Sequence, residues 1–188
     1  MGTSPLSFDV GHLVRRTVAS LYSSLVTRPT GQAVRLAIEN ALAEEPGDFS
    51  LSIIDLSRVT IIDFSCADEV VAKLLLRFQA GGRPKEVFFV FRGIKELHRD
   101  PIEVVLERQS LMAVAETEEG VFELLGAPNP REEEAWRILE ERGVVLEAEV
   151  DRVISPGGGK EVMDSLVARR VAVLDSAGGE YRALSSLL

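Results

Sequence analysis

Two short apolar runs constrain this chain more than anything else in it: Leu51–Leu56 (Leu-Ser-Ile-Ile-Asp-Leu) and Val87–Phe91 (Val-Phe-Phe-Val-Phe). Neither shows the strict alternation of a half-solvated strand. As strands, both must be buried on two faces, the condition of a parallel sheet covered by helices. The intervening segments supply those helices. Thr30 is placed to cap a helix running to about Glu44, with Val34, Ile38 and Leu42 on one stripe. A second helix begins near Ser65, carries Val70, Val71, Leu74, Leu75 and Phe78, and closes at Gly81-Gly82. Asp100-Pro101 opens a third, with Ile102, Val105 and Leu106 inward. Tyr22–Thr27, Leu111–Thr117 and Val121–Leu125 read as further strands. Strands alternating with helices predict an α/β layered sheet.

The pattern changes at Gly126-Ala127-Pro128-Asn129-Pro130. Asn129 reads as an N-cap, with Pro130 at the first helical position and Glu132 to Glu134 in the first turn. The expected division is therefore 1–127 and 128–188. Beyond the seam the spacing predicts a helix ended by Gly143, a second helix over Val145–Ile154, a break at Ser155–Gly159, and a third helix over Lys160–Arg170. Val171–Leu174 and Tyr181–Leu184 flank Asp175-Ser176-Ala177-Gly178-Gly179, a hairpin signal. Three short helices and a hairpin outline a small winged-helix-like domain, a helix-turn-helix variant.

Charge and rare residues narrow the chemistry. The chain has 21 Lys plus Arg against 30 Asp plus Glu, a formal net charge of −9. Such a balance argues against broad nucleic-acid binding, which draws on counterion release at phosphates. The segment from residue 127 onward has eight basic and twelve acidic residues, a balance of −4, so even the winged-helix-like part favours a protein over DNA. The single cysteine, Cys66, and the two histidines, His12 and His98, form no zinc pattern and offer few bases for a triad. No signal peptide, myristoylation signal or membrane span is expected, and the default compartment is the cytoplasm. No cofactor motif is found. Gly157-Gly158-Gly159-Lys160 ends like a phosphate loop, but Ile154 and Glu161 occupy places where the motif needs glycine and Ser or Thr.

Residues 55 to 65 read Asp-Leu-Ser-Arg-Val-Thr-Ile-Ile-Asp-Phe-Ser. This resembles the signature of the STAS domain, found in anti-sigma-factor antagonists and in sulphate transporter tails. Ala67-Asp68-Glu69, and the Thr-Arg-Pro before the first helix, resemble the bacterial STAS-like proteins in particular. The resemblance covers about residues 20 to 126. It implies a STAS-like sheet-and-helix layer, a protein partner such as an anti-sigma-like kinase, and a contact at Asp63, Ser65, Cys66, Asp68 and Glu69. It also implies that Ser65 matches the serine phosphorylated in the switching members. Phosphate there would add nearly two negative charges to a partner-facing surface. The match departs from that group at Phe64 and Cys66, where those members have serine and glycine. Asp68 and Glu69 would also repel a phosphate.

Ser65 alternatively reads as a plain N-cap. Cys66 in a first helical turn invites a low thiol pKa, but adjacent carboxylates oppose the thiolate and a small buried residue is the simpler reading. Asp55 and Asp63 are weighed as a catalytic carboxylate pair and read as loop-shaping residues. The expected function is thus non-catalytic regulation through protein–protein contact, anti-sigma-antagonist-like in its resemblance. The alternative is a transcription regulator whose third C-terminal helix binds DNA through Lys160, Arg169 and Arg170.

Overall fold

The computed structural model describes residues 6–9, 24–80, 85–154 and 157–188. The chain is mixed α/β. Its main sheet contains β1 (Leu6–Asp9), β3 (Phe49–Asp55), β5 (Glu86–Ile94), β6 (Met112–Thr117) and β7 (Phe122–Gly126), in the order β1-β3-β5-β6-β7. All neighbours are parallel except β6 and β7, which form a hairpin. A parallel ribbon joins β2 (Ser24–Leu25) to β4 (Ile61–Ile62). This is the fate of the strand expected over 22–27, whose first two residues lie outside the described ones.

The two apolar runs are adjacent strands in the middle of the sheet, buried on both faces as expected. One face, including Ile54, Val87, Phe89 and Phe91, packs against three helices. These are α1 (Arg28–Glu44), α2 and α3 (Glu96–Arg108). The second of them runs as Phe64–Ala67, a π-helical segment Asp68–Lys73, and Leu74–Gln79. The opposite face, including Leu51, Phe88, Val90, Met112 and Val114, packs against residues from beyond the seam, among them Trp136, Leu139, Met163 and Leu166.

Those residues build a layer of their own. It comprises α4 (Pro130–Arg142), β8 (Val144–Leu146), a 3-10 turn Glu147–Glu149, α5 (Val150–Val153), α6 (Gly159–Ala168), β9 (Ala172–Asp175) and β10 (Glu180–Ala183). Its strands form an antiparallel sheet ordered β8-β10-β9. The interface between this layer and the main sheet is therefore one apolar cluster, separate from the cluster on the sheet's other face.

Several local expectations shift. Thr27, not Thr30, caps α1: its hydroxyl accepts the Thr30 N–H at 3.4 Å, and Pro29 occupies the first turn, where a missing amide costs nothing. The third helix begins at Glu96, so Pro101 lies inside it and removes one backbone bond. The helix expected over Val145–Ile154 is partly a strand, because Val144 and Val145 pair with Arg182 and Tyr181 across the sheet. Asn129 caps α4 as read, accepting the N–H groups of Arg131 and Glu132 at 3.0 Å. Gly81-Gly82 and Ser155-Pro156 lie outside the described residues. No helix among the described residues is long and apolar enough to cross a membrane.

Candidate functional site

The strand-to-helix passage at Asp63–Glu69 follows β4. The N-cap of α2 is Asp63 rather than Ser65, because a carboxylate two residues earlier reaches the same amides. Asp63 Oδ1 accepts the Cys66 N–H at 2.8 Å and the Ser65 hydroxyl at 2.8 Å. Burial alone would raise this carboxyl, but those bonds outweigh it and hold Asp63 below the usual carboxylate range. Ser65 is half-buried.

Cys66 points into the core and is fully buried. Its thiol donates to the Thr27 carbonyl at 2.9 Å. Burial, reinforced by neighbouring Asp63, pushes the thiol up to about 12, so it is a packing residue and not a thiolate. Gly31 explains why only a small neighbour fits. A Cβ there would stand 2.9 Å from the Cys66 Cα and 3.1 Å from the Glu69 Cβ, so α1 and α2 meet almost backbone to backbone.

Asp68 and Glu69 are not the exposed acids the sequence suggests. The Glu69 side chain is 3% exposed and accepts from Arg28 at 2.9 Å, from Arg35 at 3.1 Å and from Lys73. Asp68 pairs with Arg28 at 2.7 Å and with Lys73 at 3.5 Å. Burial opposes ionisation of both carboxyls, but these cations hold them below the usual range. Their charge is therefore locally compensated, and the expected repulsion of an incoming anion is weaker than the sequence implies. The Glu69–Lys73 spacing is legible in sequence as an i,i+4 pair. Arg28 and Arg35 arrive from α1, and no local signal announces them.

Several large apolar side chains are exposed at element starts and turns. Val26 and Ile61 follow or belong to the β2–β4 ribbon, and Phe64 opens α2. Leu97 opens α3 after β5, and Val121 lies in the β6–β7 turn. They are 48%, 48%, 50%, 71% and 58% exposed, respectively. Of these, Phe64 lines a pocket of about 310 Å³ together with Arg28, Ser65, Asp68, Val105, Arg108 and Gln109.

The second set of candidate residues behaves differently. Arg169 turns into the seam between the layers. It donates to Glu132 at 2.7 Å, to the Ser110 carbonyl at 2.8 Å and to the Ala127 carbonyl at 3.0 Å. Arg170 pairs with Glu86 at 2.9 Å and lies 5.1 Å above the Phe88 ring. Both are corrected from surface contacts to ties within the molecule, because each follows α6 where it meets the main sheet. Lys160 is exposed, held by Glu147 and Asp164. The rest of the exposed α6 surface carries Glu161, Asp164 and Ala168. The β9–β10 turn carries Asp175 and Glu180.

Asp55 accepts the Ser57 N–H at 2.8 Å and thereby shapes the loop after β3. His98 is buried, its Nδ1 accepting the Lys95 N–H at 3.2 Å, and His12 lies outside the described residues. Among the described residues no group of three or more His, Cys, Asp or Glu is arranged to hold a metal ion. Compared with protein-family models, with curated proteins and with solved structures, the chain matches none.

Proposed function

We propose that this protein is a non-catalytic regulatory module that works by binding another protein at the edge where α2 begins. The observation that carries this reading is the Phe64 ring, 50% exposed at the start of α2 and three residues after the 48% exposed Ile61 of β4. An exposed aromatic ring with an apolar neighbour is surface that a protein partner can cover. The STAS-like resemblance of residues 55–69 supports the same edge and makes an anti-sigma-like kinase one partner to test. That resemblance also supports a non-catalytic role.

The C-terminal layer has the helix–strand–helix–helix–strand–strand order of a winged helix, which favours a second reading as a DNA-binding regulator. Its charge opposes that reading. Arg169 and Arg170 are spent inside the molecule, and α6 with the following turn presents mainly Glu161, Asp164, Asp175 and Glu180. We therefore assign this layer to covering and stiffening the sheet.

Affinity capture with the wild-type chain and with Phe64→Ser as bait tests the proposal. A protein held by the wild type and lost by the variant is expected. Equal retention by both would place the contact elsewhere. A duplex-DNA footprint with an affinity of about 10⁻⁸ M at physiological salt would put the DNA reading first.

A further inference from the structure

Resting on that interaction reading, we propose that the pocket between the starts of α1 and α2 and the last turn of α3 receives a carboxylate side chain of the partner, with an apolar residue beside it. The argument is one of unspent donors. Arg28 uses only Nη1, toward Asp68 at 2.7 Å and Glu69 at 2.9 Å. Its Nε and Nη2 make no hydrogen bond among the described residues. Arg108, exposed at the end of α3, makes neither a hydrogen bond nor an ion pair there, and the Gln109 amide is equally uncommitted. One oxygen of each nearby carboxylate is engaged: Asp63 Oδ1 by Ser65 and Cys66, and Asp68 Oδ2 by Arg28 and Lys73. The pocket is thus lined by two guanidinium groups, Arg28 and Arg108, against one carboxylate, Asp68.

The surroundings choose among anions. A guanidinium matches a carboxylate in two parallel bonds. A phosphate dianion would meet the ionised Asp63 and Asp68 at close range, a like-charge cost that grows with the ligand's charge. A singly charged carboxylate meets less of it. The walls also include the half-exposed Phe64 ring and the buried Val105. Phe64 both lines this pocket and is half exposed, so an apolar partner residue can cover its ring while a carboxylate enters the pocket. A volume of about 310 Å³ accommodates more than one side chain.

The test is an NMR titration of the full chain with a terminally blocked Leu-Glu-Leu-Glu peptide, its Leu-Gln-Leu-Gln counterpart, and inorganic phosphate. The Glu peptide is expected to shift the resonances of Phe64, Ser65, Gln109 and the Arg108 side chain. The Gln peptide should bind at least about tenfold more weakly, and Arg108→Ala should weaken the Glu peptide by a similar factor while leaving a dispersed spectrum. Arg137→Ala, which removes an exposed ion pair on α4, should change nothing. Equal binding of the two peptides, or phosphate outcompeting the Glu peptide, would overturn the inference. So would a Glu peptide that shifts none of these resonances. If that failure came while Phe64→Ser still lost the captured protein, the interaction reading would stand without this pocket. If the Glu peptide bound as expected and capture ignored Phe64→Ser, the edge reading would fail on its own.

Discussion

The same residue types do different work in two charged clusters of the molecule. At the start of α2, Glu69 is buried under Arg28, Arg35 and Lys73, and Arg28 and Lys73 face outward. At the seam, Glu132 is buried under Arg169 with Ser165 and the Asn129 backbone N–H completing its bonds, and Arg169 Nη2 donates to two carbonyls. The first cluster is redundant and opens onto solvent; the second ties two layers together.

The sharpest way to break that comparison is to remove one cation from each. Arg169→Ala leaves the Glu132 carboxylate buried and loses two carbonyl ties, so chemical denaturation should show a loss of about 3–5 kcal/mol. Arg28→Ala should cost far less, because Arg35 and Lys73 still hold Glu69. Comparable losses for the two would erase the distinction.

Gly31→Val comes next. Its side chain would drive α1 off the Cys66 backbone, and a destabilisation of about 1–3 kcal/mol is expected from overpacking. An unchanged denaturation midpoint would show that the helices do not meet as closely as described.

Acid should act on both clusters in the same direction. Asp63, Asp68, Glu69 and Glu132 are all held below the usual carboxylate range in the fold. Their stabilisation is complete above their unfolded values near pH 4 and is lost as pH falls through the folded ones. His98, lowered chiefly by burial, adds a loss that begins as pH drops below about 6.5, where the unfolded chain takes up a proton first. Stability measured by thermal melts should therefore fall steadily from neutral pH into acid. A maximum near pH 5 would contradict these assignments.

The smallest effect belongs to Ser65→Ala. It removes one hydroxyl donor to Asp63 while the Cys66 amide remains, so a loss of about 0.5–1.5 kcal/mol is expected. A loss near that of Arg169→Ala would make Ser65 a structural keystone rather than an accessory to the cap.

What was legible in the sequence was set by range. The central strands were readable because unbroken apolar runs such as Val87–Phe91 report burial directly, and the α4 start because Asn129-Pro130 and Glu132 carry the capping chemistry within four residues. The N-terminal caps were misplaced by two or three residues, since Asp63 and Thr27 compete locally with Ser65 and Thr30 for the same amides. The charged clusters were misread for a different reason. Whether Glu69 or Arg169 faces water depends on Arg35 and Glu132, which lie 34 and 37 residues away in sequence. Periodicity carries no such information. The exposure of Phe64 was hidden in the same way, because an aromatic residue at a helix start reads as core until its neighbours are placed.

Partner contact is assigned to the start of α2 and not to α6. Photo-crosslinking tests it most directly, with a photoreactive residue placed at position 64 in one preparation and at position 160 in another, each exposed to extract from the source cells. The account predicts one protein adduct from position 64 and neither a protein nor a DNA adduct from position 160. Adducts from position 160 with none from position 64 would contradict it.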